Sequence, residues 1–338
     1  MEVTYERDVS HCDSESGVKE GTIVSVVAAN NSDNLEVIKL DNLAYQVVSQ
    51  KGLHQVGKKV IYFPPEAILP KEFSDEIGVT GYLSKGVIKA VRLRGNRSEG
   101  LIVDVDKATP YLDYIKRWET PYTAKFSGSM MSPKHYPSIF AIFYKMPNLK
   151  NEPDTINDGE EVYFAEKIHG TNCRFGVLPT PEKDDAKLYV GTHKTVRKQE
   201  YEDDLYWSTI KSTIMKSQGI IIPGYVYYGE IYGKGIQDLW YGEPTPTMRV
   251  FSIMDSNGEY LLPSQVMELC DTNNIPRVPF HRATYQGIEW AIAQSEKESE
   301  YWDGLREGVV IYSATRPRVM AKIINFNYLT RKKGTERH

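Results

Sequence analysis

The sequence predicts an α+β protein in which antiparallel strands outnumber helices and form two domains. Short runs rich in Val, Ile and Tyr recur along the 338 residues, separated by Gly, Asn, Asp and Pro. The helical stretches of the second half do not alternate regularly with strands, as a parallel sheet would require. With 41% hydrophobic and 25% charged residues, the chain is long enough for two separate cores.

Composition excludes several classes of protein. The net charge of −4 gives no chain-wide basic field, so any nucleic-acid site must be a local patch. No run of about 18 apolar residues exists and the N-terminus is acidic and polar, so neither a membrane span nor a signal peptide is expected. Cys12, Cys173 and Cys270 lack metal-ligand spacing and indicate free thiols in a reducing, intracellular compartment.

The first domain is predicted as a small β-barrel. Five short strands fall within fewer than 110 residues, at 22–28, 35–40, 45–49, 59–63 and 86–93. The segment 56–70 resembles the later strands of an OB module, whose groove commonly receives oligonucleotides. We therefore assign residues 1–105 to an OB-fold RNA-binding domain.

A cluster of cations on the last of these strands is the candidate RNA contact. Lys89, Arg92 and Arg94 stand close together, and on one strand Arg92 and Arg94 would share a face. An equally good interpretation is a solvated strand edge that charge keeps from aggregating.

Beyond the barrel the pattern loosens and then becomes regular again. Prolines at 110, 121, 133 and 137 and a Ser-Gly-Ser run predict a linker over 106–143. The second domain is predicted over 144–338, with helices at 203–216, 264–273 and 286–294 among its strands.

The stretch from Glu166 to Asn172 is the centre of the second domain. Lys167 would lie on a turn between strands at 161–165 and 173–177, where its side chain can face a cleft. Gly170 would let the backbone approach a nucleotide, and an amine whose pKa is lowered by neighbouring cations and burial can attack an α-phosphate. Lys-x-x-Gly alone is common, and a surface lysine before a hairpin glycine is the alternative.

Further polar and aromatic residues of this domain stand at strand ends or on strands. Each alone has an ordinary interpretation as a strand-end charge, a core aromatic or an edge lysine. In chain order they are Lys194 with Arg197, Glu230, Phe251, Glu307 and Lys322.

The order and spacing of these stretches resemble the nucleotidyltransferase motifs of ATP-dependent polynucleotide ligases and mRNA capping enzymes. Lys-Ile-His-Gly-Thr-Asn at 167–172 is similar to RNA ligases, including the kinetoplastid RNA-editing ligases, whereas DNA ligases usually have Asp at the position of His169. An OB module before the catalytic domain further resembles the RNA ligases that seal 3′-OH/5′-phosphate nicks in duplex RNA. DNA ligases and capping enzymes carry that module after the last motif, where only residues 325–338 follow here.

The resemblance implies a covalent mechanism. Lys167 would attack the α-phosphate of ATP to form lysyl-AMP, AMP would pass to an RNA 5′-phosphate, and a 3′-OH would displace it. The partner would be RNA with 3′-OH and 5′-phosphate ends in a nicked duplex, and the protein would be a monomer.

The resemblance also implies residue roles. Glu230 would bind the ribose and Phe251 would stack on adenine, while Lys322 would neutralise the α-phosphate. Glu307 and Glu230 would hold Mg²⁺ or Mn²⁺. The remaining assignments are the nucleotide-site residues Glu166, His169, Gly170 and Asn172, with His169 either touching phosphate, which we favour, or orienting the turn, and Lys194 or Arg197 at the RNA 5′-phosphate.

Two departures from the family pattern leave alternatives open. Met320 stands where the first lysine of a closing Lys-x-Lys is usual, so one α-phosphate contact is missing or comes from Arg316 or Arg318. Thr-His-Lys at 192–194 replaces the usual Ser-Arg or Ser-Lys. The rival functions are a capping or DNA-joining nucleotidyltransferase, disfavoured by the missing downstream module, and a non-catalytic RNA-binding protein, supported only by Met320.

Overall fold

The computed structural model describes residues 16–41, 43–118, 130–141, 146–181, 185–199 and 204–331. The chain divides into two compact units, with the division between residues 122 and 123. The pairings between named strands are all antiparallel, which confirms the mixed fold class with antiparallel sheets. The domain limits of the sequence analysis stay predictions.

The first unit is built on one curled sheet of five strands in the order β3-β2-β1-β4-β8. The first half of β1 pairs with β4 and its second half pairs with β2, with a register shift between Ile23 and Ser25. Such an irregularity bends a strand and increases its twist. The sheet strands are β1 (Lys19–Ala28), β2 (Leu35–Leu40), β3 (Gln46–Gln50), β4 (Lys59–Phe63) and β8 (Leu101–Asp104).

This sheet forms half of a barrel, so the predicted closed OB-type barrel is not confirmed. The strands at its two ends, β3 and β8, are not neighbours in the ladder. Strand β4, between β1 and β8, is buried on both faces, because Ile61 and Phe63 belong to one apolar cluster and Val60 and Tyr62 to another. The smaller elements are β5 (Ala67–Ile68), α1 (Lys71–Glu76), α2 (Val105–Ala108) and β9 (Lys116–Arg117).

The predicted strand at 86–93 is shorter and ends in a tight turn. Only β6 (Ala90–Leu93) is extended, and it forms a hairpin with β7 (Asn96–Glu99). Arg94 and Gly95 connect them with φ of 51° and 89°, as in a two-residue type I′ turn. The prediction that Arg92 and Arg94 share a strand face is therefore wrong, because Arg94 lies in the turn.

The second unit contains two antiparallel sheets. One has the order β13-β12-β11-β14-β15 and the other β16-β10-β17-β18. The first sheet contains β11 (Thr171–Pro179), β12 (Ala186–Thr192), β13 (Val196–Arg197), β14 (Val226–Tyr232) and β15 (Thr247–Met254). The second contains β10 (Glu161–Lys167), β16 (His281–Thr284), β17 (Gly308–Ser313) and β18 (Met320–Ile324).

In the described part of this unit, four α-helices accompany the sheets: α3 (Leu205–Ser217), α4 (Pro263–Thr272), α5 (Ile288–Ser295) and α6 (Phe326–Leu329). The first three match the predicted helices within two residues at each end, and α6 was not predicted. Among the described residues, no helix is long and apolar enough to cross a membrane. Cys173 and Cys270 are buried free thiols, and Cys12 lies outside the described residues.

Strand β17 explains how the second sheet separates two apolar clusters. Val310 and Tyr312 pack into the cluster shared with the first sheet, whereas Val309 and Ile311 pack into the cluster that includes Ala291 of α5. A strand buried on both faces has a continuous hydrophobic sequence, as Val-Val-Ile-Tyr does here. The chain passes from the second sheet to the first at the turn between β10 and β11, directly after Lys167.

Candidate active site

A cavity of about 400 Å³ lies within the second unit and brings together residues that are distant in sequence. Its volume is within the usual range for small-molecule sites. Hydrophobic side chains, among them Val278, Val310 and Tyr312, form part of its wall. The predicted site residues that line it are Glu166, Lys167, Glu230, Phe251 and Lys322.

Lys167 is held by a carboxylate in this cavity. It is the last residue of β10, directly before the turn rather than on it as predicted, and it lies opposite Gly308 of β17, so Glu307 comes directly beside it. The Lys167 Nζ donates to Glu307 Oε1 at 2.7 Å, with the two side chains 25% and 4% exposed. Burial lowers the pKa of Lys167, but the negative charges of Glu307 and Glu230 outweigh it and the pKa is raised. The prediction that the Lys167 pKa is lowered is thus wrong for the protein without ligands, because Glu307 and Glu230 lie near the amine.

The two carboxylates of this cluster have properties that suit a divalent cation. Glu307 Oε2 is buried and has no hydrogen-bond partner among the described residues. Burial raises the pKa of Glu230 to about 8, although Lys167 and the Gly170 N–H, which donates to the carboxylate, act in the opposite direction. Across the described ranges no three His, Cys, Asp or Glu side chains form a metal cluster. Two carboxylates together with phosphate and water oxygens are a usual Mg²⁺ environment, so these residues fit such an ion.

Glu166 borders the cavity, but its carboxylate serves a neighbouring loop. Its side chain accepts hydrogen bonds from Ser299 Oγ and the Glu300 backbone N–H, both at 2.7 Å. Burial raises the pKa of Glu166 to about 7 despite these donors and the nearby Arg306. Adjacent strand residues point to opposite faces, which places this carboxylate on the other side of β10 from the Lys167 amine.

His169 is enclosed by protein rather than lining the cavity. Its Nε2 lies 2.7 Å from Asp238 Oδ1 and its Nδ1 lies 2.7 Å from Tyr328 Oη. The ring is 7% exposed, and burial lowers its pKa although Glu307 and Asp238 oppose this. Of the two predicted roles, orienting the turn agrees better with this geometry than touching phosphate.

The closing strand β18 places Lys322 and Met320 in different surroundings. Lys322 lines the cavity, whereas Met320 is 4% exposed and packs in the apolar cluster with Phe251 and Tyr312. Arg316 is paired with Glu160, and Arg318 lies over the Tyr260 ring at 5.2 Å. Neither arginine lines the cavity, so the geometry does not favour either as a substitute for a lysine at position 320.

The predicted RNA contacts are spread over both units. Arg197 is held by Asp204, with Nε 2.8 Å and Nη2 2.6 Å from Oδ2. Lys194 is exposed, while its neighbour His193 lines the cavity. Lys89, Arg92 and Arg94 are exposed on the first unit. His193 was not predicted as a site residue, although the unusual Thr-His-Lys pattern marked that position.

The turn after Lys167 is tightly packed at Gly170. A Cβ on this residue would lie 2.2 Å from Ile231 O and 2.9 Å from Glu230 Cγ. We expect Gly170→Ala to lower the free energy of unfolding by about 1–3 kcal/mol and to displace the turn, because backbone atoms have to move. Urea unfolding checks this against Gly81→Ala, where nothing lies within 4 Å of the added Cβ. Equal stability of the two variants would show that the turn adjusts freely.

Comparison with known proteins defines the class of the second unit. The RNA ligase family model matches residues 160–324. This stretch contains Lys167, Glu230, Phe251, Glu307 and Lys322, the residues that carried the resemblance. Residues 160–324 are therefore similar to the RNA ligase family. No curated protein sequence matches the chain significantly.

Solved structures extend the likeness beyond this domain. The Naegleria gruberi RNA ligase with PPi is 19% identical, with a TM-score of 0.73, and the match covers 93% of this chain and 98% of that chain. A mutant of that ligase with ATP and Mn is also 19% identical, with a TM-score of 0.72 and coverage of 92% and 98%. A mutant with AMP and Mn is 18% identical, with a TM-score of 0.71, and the match covers 93% of this chain and 98% of that chain. At this identity the match establishes a shared fold over nearly the whole chain.

Proposed function

We propose that this protein is an ATP-dependent RNA ligase that joins RNA 3′-OH and 5′-phosphate ends at nicks in duplexes. The observation that carries the proposal is the Lys167 amine, held 2.7 Å from Glu307 in a cavity that Glu230, Phe251 and Lys322 also line. The RNA ligase family match supports the same reaction class. Among common side chains, only a lysine so placed offers an amine that can carry AMP covalently.

In the first step, Lys167 attacks the α-phosphate of ATP. The ammonium first loses a proton to solvent. An N–P bond then forms, the bond between the α-phosphorus and the pyrophosphate oxygen breaks to release pyrophosphate, and the nitrogen loses a second proton to solvent. Glu307 and Glu230 raise the Lys167 pKa, so attack requires that their charge be compensated. A divalent cation bound by these two carboxylates would supply that compensation and polarise the phosphate. The ATP and Mn in structures of Naegleria gruberi ligase mutants support ATP and Mg²⁺ or Mn²⁺ as the requirements.

The cavity walls suit an adenosine. Phe251 is 8% exposed at the cavity and offers a ring on which adenine stacks. Glu230 is near enough to Lys167 to affect its pKa, so a ribose held by Glu230 would put the α-phosphate beside the amine. Lys322 lines the same cavity and would neutralise the phosphate charge that develops during transfer.

In the later steps, AMP passes to an RNA 5′-phosphate and the 3′-OH displaces it. Lys194 is exposed beside the cavity-lining His193, which supports a role near the incoming phosphate. Arg197 remains a second candidate, although it would have to share its guanidinium with Asp204. We assign RNA binding, in an OB-type arrangement, to the first unit, and we propose that the protein acts as a monomer.

Labelled ATP tests the reaction class directly. With α-labelled ATP and Mg²⁺ or Mn²⁺, we expect a labelled protein band on a denaturing gel, and with nicked duplex RNA a labelled RNA-adenylate and then a sealed strand. GTP in place of ATP tests for capping chemistry, and nicked duplex DNA tests for DNA joining. The absence of a labelled band with either metal would refute the proposed ligase activity and leave the alternative that the protein binds RNA without catalysis.

Lys89, Arg92 and Arg94, at or beside the β6–β7 hairpin of the first unit, are expected to bind RNA without taking part in the chemistry. Changing Lys89, Arg92 and Arg94 together to Ala should leave self-adenylation unchanged and weaken RNA binding. If each contacts one phosphate, the slope of log K against log[salt] should fall by about 3 in magnitude. Lys51→Ala, an exposed lysine elsewhere on the first unit, is the control. An unchanged slope of log K against log[salt] would show that these cations do not contact RNA phosphates and only keep a solvent-exposed strand edge charged.

A further inference from the structure

Two separate parts of the second unit, the loop at 238–241 and helix α6, contact His169, two residues after Lys167. The His169 backbone N–H donates to Tyr241 Oη at 2.7 Å. Its ring contacts Asp238 through Nε2 and Tyr328 through Nδ1, each at 2.7 Å. Tyr328 is fully buried in helix α6 and its ring meets the imidazole edge to face, with centroids 5.2 Å apart. The turn directly after Lys167 is therefore fixed by residues far along the chain.

These contacts determine which nitrogen of His169 carries the proton. The Asp238 carboxylate only accepts hydrogen bonds, so Nε2 must donate to it. In the neutral ring Nδ1 then has a lone pair, and the Tyr328 hydroxyl donates to it. Arg331 keeps Asp238 in place, with Nε 3.0 Å from Oδ2 and Nη2 3.2 Å from Oδ1, and its guanidinium lies 3.6 Å from the centroid of the Tyr328 ring.

The choice of tautomer matters because Glu307 is next to the ring. Glu307 Oε1 accepts from Lys167, whereas Oε2 is buried, has no partner among the described residues and lies 3.9 Å from His169 Nδ1. With its proton on Nε2, His169 has none to donate to Oε2. A buried acceptor without a donor is unfavourable by itself, and a bound cation would satisfy it.

We propose that Tyr328, Asp238 and Arg331 are positioning residues for nucleotide transfer. They hold His169 in the tautomer that leaves Glu307 Oε2 to the divalent cation, and they hold the turn that presents Lys167. The inference rests on the proposed function and adds α6 to its machinery. Helix α6 begins two residues after β18, so one C-terminal stretch supplies both Lys322 at the cavity and Tyr328 behind His169.

The test separates positioning from simple packing. Tyr328→Phe removes only the hydroxyl and keeps the ring that fills the core. Tyr189→Phe is the matched control, because Tyr189 is 1% exposed and its hydroxyl has no hydrogen-bond partner among the described residues. Three properties are measured for each variant. The first is Mn²⁺ binding in the presence of a non-hydrolysable ATP analogue, monitored through the EPR signal of free Mn²⁺. The others are the single-turnover rate of self-adenylation and the unfolding temperature.

We expect Tyr328→Phe to weaken Mn²⁺ binding and slow adenylation at limiting Mn²⁺, each by about tenfold, the factor expected for one buried hydrogen bond. High Mn²⁺ should restore part of the rate. The unfolding temperature should lie modestly below that of Tyr189→Phe, because only Tyr328→Phe removes a hydrogen bond. Asp238→Asn, at a partly exposed position, should change Mn²⁺ binding in the same direction, which keeps the test valid if Tyr328→Phe folds poorly.

Two results would overturn the inference. The first is wild-type Mn²⁺ binding and rate in both variants. The second is a loss of activity that disappears once the rate is corrected for the folded fraction. Failure of the proposed function looks different, because the wild-type protein itself would then form no labelled adduct.

Discussion

Replacing Lys167 by Ala is expected to abolish the covalent AMP adduct while leaving RNA binding largely intact. No other side chain in the turn offers a titratable amine that can form a phosphoramidate. The change also leaves the buried Glu307 carboxylate, 3% exposed, without its cation. Because breaking a buried pair in this way is destabilising, Lys167→Ala alone does not separate chemistry from folding.

Lys167→Arg makes that separation. A guanidinium keeps the positive charge beside Glu307 but does not lose a proton to become a nucleophile. We expect no adduct from Lys167→Arg although its unfolding temperature stays near that of the wild type. Lys216→Ala, which changes an exposed lysine of α3, should be adenylated normally. Peptide mapping that found AMP on another lysine would refute the assignment of Lys167.

Residues with locally recognisable chemistry were predictable from the sequence. Lys167, Glu230, Phe251 and Lys322 were selected because each stands on or beside a strand in a particular order, and all of them line one cavity. Strands at 35–40 and 59–63 were predicted at their observed bounds because β-branched residues and turn residues mark them clearly. What was predictable thus depended on short-range patterns.

The features that were missed depend on contacts between distant segments. Asp238, Tyr328 and Arg331 have no local signature, and only folding brings them to His169. Barrel closure likewise depends on whether β3 and β8 meet, which no single strand determines. The direction of the Lys167 pKa shift was wrong although Glu230 and Glu307 were predicted in the same site, because only the folded chain shows how close these carboxylates lie to the amine.

Lys322→Ala is expected to reduce adenylation to near zero. At an effective dielectric of about 20 and a separation of about 4 Å, one ammonium–phosphate contact contributes on the order of 4 kcal/mol before desolvation is subtracted. If most of this is expressed in the transition state, the single-turnover rate falls by up to about a thousandfold. Retained activity would mean that Lys322 does not face the α-phosphate.

Met320→Lys, unlike Lys322→Ala, is expected to affect the stability of the protein rather than the rate of adenylation. Met320 is 4% exposed and packs with Phe251 and Tyr312, so an ammonium at this position would lose its hydration among apolar side chains. We expect the free energy of unfolding to fall by several kcal/mol, with no gain in adenylation rate. Met320→Leu, which nearly conserves volume, should cost less than about 1.5 kcal/mol. Urea unfolding and single-turnover rates of the three proteins decide the point: a faster and equally stable Met320→Lys would place this position at the phosphates, as in the usual closing Lys-x-Lys.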